Sequence, residues 1–107
     1  MERLICLMTA LALSAAASQV HAQGTPQQGL AEARQVCSDC HAIQKGLVRS
    51  PNSRSPTFVE LANTPGMTAT ALLVALTTPH AGMPMFILTS EQRENIIAYI
   101  LSLKGEN

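Results

Sequence analysis

Beyond residue 6 the only cysteines of the chain are Cys37 and Cys40, in the stretch CSDCH, with His41 directly after the second. Two thiols at this spacing beside an imidazole suit three chemistries. They can cycle as a redox disulfide, join a zinc site, or form thioethers to the two vinyl groups of one porphyrin while the imidazole takes its iron. The first expects a βαβ neighbourhood, and no strand pattern occurs in this sequence. The second wants four ligands, commonly as two separated pairs, and His80 is the only other nitrogen ligand downstream. A structural bridge from 37 to 40 would close a tiny loop and stabilise little. The spacing therefore points to covalent haem attachment. On a helix, sulfurs three residues apart project from nearly one face, and a ring tethered there sits over His41.

His41 leaves the opposite axial position of the iron to be filled. His80, Met83 and Met85 all lie in the loop PHAGMPMF. Met83 is the expected sixth ligand: Pro84 after it favours an extended backbone, and Gly82 before it permits close approach to a ring. Met85 is the reserve. His80 is expected at the surface or beside the haem propionates, with bis-histidine ligation as the alternative. Met67, ahead of a helix, reads as core filler.

The elements that must position these groups are helical. A helix is expected from about Gln27 to His41, with good formers such as Leu30, Ala31 and Glu32 and no internal proline. The run KGLVRSPNSRSP, 45–56, is a loop dense in Gly, Ser, Asn and Pro. A helical turn fits TFVELAN, and a further helix opens near Thr68 and stops before Pro79. The last helix carries the strongest signal. Thr89 and Gln92 form a capping box, Ile96, Ile97, Ile100, Leu101 and Leu103 recur at helical spacing, and Gly105 marks the stop. The fold class is all-α, with three to five helices.

The leading residues belong to targeting rather than to the fold. Arg3 precedes an apolar run from Leu4 to about Ala17, and VHAQ then offers the small residues of a signal-peptidase site. Cleavage after Ala22 is expected, so 1–22 is a leader and 23–107 a single monohaem domain. The run is too short to span a bilayer, which takes about 20 apolar residues. No stable membrane insertion is expected after cleavage, and export places the thiols in an oxidising compartment, the periplasm. Formal net charge is zero, which removes the electrostatic basis for nucleic-acid binding. Aromatic residues make up 3% of the chain, namely Phe58, Phe86 and Tyr99. So small a domain buries little surface unaided, and one large flat cofactor would replace the missing core.

CSDCH, then SPTF, then GMPMF, then IIAYILSL together resemble a class I c-type cytochrome of the small monohaem bacterial kind, from about Gly29 to Leu103. The resemblance implies a cytochrome c fold around one covalently bound haem c. It also implies that the N- and C-terminal helices cross through a glycine, matched by Gly29, against partners matched by Ile96 and Tyr99. Ala33 stands where many relatives carry an aromatic. A proline carbonyl should take the proximal imidazole N–H; Pro56 is the match, with Ser55 in place of the usual glycine and Pro51 as the alternative. Arg54 is matched to a haem propionate, against the plainer reading of a solvated loop arginine.

The function implied is that of a soluble, monomeric one-electron carrier rather than an enzyme. It would dock transiently on a donor dehydrogenase or cytochrome complex and on an acceptor oxidase or reductase. Two other readings stand beside it. One is an electron-entry subunit held tightly by a dehydrogenase or oxidase. The other is a haem peroxidase or gas-binding protein, which needs a distal acid–base residue for which only His80 is available.

Overall fold

The computed structural model describes residues 24–107, and the expected cleavage after Ala22, like Cys6, lies outside the described residues. Four helices follow one another: α1 (Pro26–Val36), α2 (Phe58–Asn63), α3 (Ala69–Thr77) and α4 (Ser90–Ser102). No strand joins them among the described residues; the one bridge-type pairing is local, between His80 and Met83. None of these helices is long and apolar enough to cross a membrane. This is the all-α arrangement that the sequence led us to expect.

Each helix starts at a threonine. Thr25, Thr57, Thr68 and Thr89 are N-caps whose side chains accept from backbone N–H groups one turn in, satisfying donors that the first turn leaves free. Thr57 with Glu60 and Thr89 with Gln92 complete capping boxes. Pro26 follows Thr25 at the first position of α1, where its missing N–H costs nothing. α3 ends at Thr78, whose extended backbone (φ −121°, ψ 142°) is what Pro79 demands.

α1 ends earlier than expected, at Val36 instead of His41. Cys37 is its C-cap, and Cys40 N and His41 N both donate to the Cys37 carbonyl, at 3.2 and 2.9 Å. The Ser38 hydroxyl meanwhile donates to Arg34 O at 2.6 Å. Ser and Asp favour such local bonding over regular helix, so the attachment motif is a coiled turn hung from the helix end.

The core lies where α1 packs on α4. A Cβ added at Gly29 would stand 2.6 Å from the Asn95 carbonyl carbon and 2.7 Å from Tyr99 Cβ. Ala33, one turn on, is wholly buried with Ile96, Phe58 and Ala62. Asn95, 2% exposed, ties the pair by hydrogen bonds. Its Oδ1 accepts from Thr25 N at 2.8 Å, and its Nδ2 donates to Gln28 and Glu32 at 3.1 and 3.2 Å. The Tyr99 hydroxyl donates to Ile43 O at 2.6 Å, fastening the chain just after the CSDCH turn to α4. Asn63 does the same for α2, donating to Leu103 O and Glu106 O and accepting from Gly105 N.

Candidate functional site

The loop from Ala42 to Thr57 folds back under the CSDCH turn. Ala42 N donates to the Ser50 hydroxyl, Asn52 N to Cys40 O, and Phe58 N to Ala42 O. These bonds bring Pro56 beneath the imidazole of His41, where its carbonyl oxygen lies 2.6 Å from Nδ1. A carbonyl can only accept, so Nδ1 is the donor of this bond, and Nε2 is the ring nitrogen it leaves uncommitted. The Phe58 ring backs the imidazole, with centroids 5.6 Å apart, and Tyr99 backs Phe58 at 6.2 Å. Pro51, the alternative acceptor, is exposed and makes no such contact.

Cys37 and Cys40 form no disulfide with each other. Cys37 is buried, 6% exposed, and burial pushes its thiol up to about 11. A dithiol redox centre needs the opposite, a thiol held low so that the thiolate can attack. Nor do three His, Cys, Asp or Glu side chains gather to hold a metal ion among the described residues.

Cys37, Cys40, His41 and Pro56 line one side of a cavity of about 500 Å³, within the range of about 300–1,000 Å³ usual for cofactor and small-molecule sites. Leu72, Ala75 and Leu76 of α3 and Ile96 and Ile100 of α4 give it apolar walls, together with Phe58, Met67 and Phe86. Arg54 is its one charged lining residue, exposed at the edge with its backbone N–H donating to Asn52 Oδ1 at 3.0 Å. Two thiols, an imidazole held through Nδ1 and a mostly apolar wall fit a haem in chemistry as well as in size.

The segment after α3 supplies the remaining donors. Met83 N donates to His80 O at 3.4 Å, with Gly82 at φ +80°. This is a turn that needs positive φ at its third residue, and it delivers the chain to Met83 directly ahead of Pro84. Gly82 supplies that positive φ. Met83 and His80 both line the cavity, while Met85 is 50% exposed and does not. Met67, read as core filler, packs against the core and also lines the cavity.

Two supporting residues escaped the sequence reading. Asn95 was passed over inside an apolar helix, although an asparagine mid-helix is a poor former that calls for a bonding reason. Glu60, three after Thr57, was the unread half of the capping box that orients α2 behind His41.

Comparison with known proteins is consistent with this site. Residues 27–104 match the family model described as Cytochrome c. Among curated proteins, the chain is 31% identical over 100 residues to "Cytochrome c-552" of Bradyrhizobium diazoefficiens, covering 94% of this chain and 92% of that protein. No solved structure gives a significant match.

Proposed function

This chain belongs to the cytochrome c family, as a small bacterial class I c-type cytochrome carrying haem c, and on that premise we propose that it is a periplasmic one-electron carrier with His41 and Met83 as axial ligands. The observation that carries the reading is one cavity lined by Cys37, Cys40, His41 and Met83, with Met85 left outside. Bound haem supplies an iron centre that alternates between the ferric and ferrous states.

The chain's own residues decide how that centre behaves. Cys37 and Cys40 hold the ring as thioethers. Donation of Nδ1–H to the Pro56 carbonyl orients His41, presents Nε2, and raises its basicity as a ligand. Met83 as sixth ligand favours the reduced state and raises the potential. Cys37, Cys40, His41 and Met83 together would hold the haem, which would then supply one-electron chemistry. The apolar walls limit water, and the guanidinium of Arg54, which also lines the cavity, would suit a haem propionate. Cleavage after Ala22 delivers the domain to the periplasm, where it docks weakly and transiently, as small redox interfaces do.

A reduced-minus-oxidised visible spectrum with a pyridine haemochrome assay tests haem, its attachment and one-electron chemistry together. Met83→Ala then tests the ligand. The variant should lose the weak far-red band of a methionine–iron bond, fall in reduction potential, and bind cyanide or carbon monoxide readily. Met85→Ala should leave all three nearly unchanged. If the larger effect follows Met85→Ala, the ligand assignment is wrong; if the wild type binds carbon monoxide rapidly, the distal side is open and the carrier reading fails.

A further inference from the structure

Arg93 stands in the first turn of α4, where the positive end of a helix disfavours a cation. Its guanidinium turns back past the helix start, Nη1 donating to Leu88 O at 2.6 Å and Nη2 to Ser90 Oγ at 3.1 Å. Nε is buried without a partner, which carries a desolvation cost of its own. The side chain lies in a surface groove with Thr70 and Leu73 of α3 and Ile97 of α4. A charge so placed calls for an offsetting contact, and the bond to the Leu88 carbonyl is the shortest it makes.

That carbonyl closes the run that follows Met83. Met83 is tied through its own N–H to His80 O, and beyond Leu88 the next backbone bonds belong to the start of α4. Among the described residues, no other hydrogen bond reaches the backbone from Pro84 to Leu88. Phe86, lining the cavity, and Leu88, packed on the core, hold the run by apolar contact, which has no direction of its own. We propose that Arg93 is a positioning residue for the sixth ligand. Its charge-assisted bond fixes where the Pro84–Leu88 run ends and so keeps Met83 turned into the cavity. Arg93 does not itself line that cavity, so its action passes through the backbone. The proposal rests on Met83 as the ligand.

Imidazole titration of the ferric holoprotein reads how often Met83 leaves the iron, because apparent affinity scales with the fraction of molecules open to the probe. Arg93→Met keeps the stem, removes every donor, and should raise that affinity about tenfold, as expected for losing a hydrogen bond to a charged group. Arg93→Lys returns a cation that can meet one carbonyl and should stay within about threefold of wild type. Asn63→Ala breaks the bonds from α2 to Leu103 O, Glu106 O and Gly105 N. It should lower Tm yet leave the affinity within about twofold, since distant sites act independently. Added to Met83→Ala, Arg93→Met should change nothing further, because the group it positions is gone. Wild-type affinity in Arg93→Met, equal loosening in Arg93→Lys or Asn63→Ala, or a further rise on top of Met83→Ala overturns the proposal. Where Arg93→Met fails to take up haem, Arg93→Gln is titrated in its place and should bind imidazole more tightly than wild type; unchanged affinity there overturns the proposal too. A far-red band that survives Met83→Ala would instead refute the ligand assignment itself.

Discussion

Gly29→Ala would test the contact on which the fold turns. In an isolated helix this change helps, because glycine is about 1 kcal/mol less favourable than alanine. Here the added methyl runs into the Asn95 carbonyl group, oxygen first and then C at 2.6 Å, and into Tyr99 Cβ at 2.7 Å. Ordinary carbon contacts lie at about 3.5–4.0 Å, so α1 and α4 must separate by roughly 1 Å. Neither neighbour is the free end of a side chain, so the strain falls at the upper end of overpacking costs, about 3 kcal/mol. Set against the propensity gain, the net loss is about 2 kcal/mol. In a domain of this size that lowers Tm by about 8–16 °C. Thermal unfolding of the haem-loaded protein, followed by circular dichroism, measures it. An unchanged or raised Tm would mean that the two helices do not approach so closely at Gly29.

Tyr99→Phe removes the donor to the Ile43 carbonyl and should cost about 1–3 kcal/mol at neutral pH, the range for a buried acceptor left unpaired. Burial raises the Tyr99 hydroxyl above its ordinary 10, and Arg34 nearby partly opposes this. The folded protein thus keeps a proton that the unfolded chain releases near pH 10. Stability contributed by this group is complete below that pH and lost as pH rises through the folded value. Denaturant midpoints across the alkaline range should therefore fall less steeply for Tyr99→Phe than for wild type. With Cys37→Ala and Cys40→Ala combined, the chain should be largely unfolded, because binding and folding are coupled in small metallo-domains; a cooperative thermal transition without haem would argue otherwise. Intact mass of the wild type should equal the chain from Gln23 plus one haem retained through acid–acetone extraction, and a retained leader or unmodified thiols would contradict the respective assignment.

Attachment chemistry was legible in the sequence because it is local: the spacing of Cys37, Cys40 and His41 sets which groups one porphyrin can reach, whatever surrounds them. Helix existence was legible for the same reason, since caps such as Thr89 with Gln92 and the periodic isoleucines of α4 act within one or two turns. Boundaries were less so. Local propensity carried α1 on to His41, but side-chain bonding by Ser38 and the coiling of the chain around the Cys37 carbonyl ended it at Val36. Pairings across the chain were reached only through family resemblance, as with Pro56 and Gly29, or not at all, as with Asn95. Nothing near Pro56 in sequence specifies that its carbonyl meets His41. That distance follows from the bonds that fold 42–57 beneath the motif. Met83 and Met85, alike in type and two residues apart, could not be separated firmly by composition. The turn at Gly82 and the alternation that follows direct one to the cavity and the other to the surface. Covalent reach is a property of neighbours along the chain, whereas the direction of a side chain depends on what the rest of the fold leaves open.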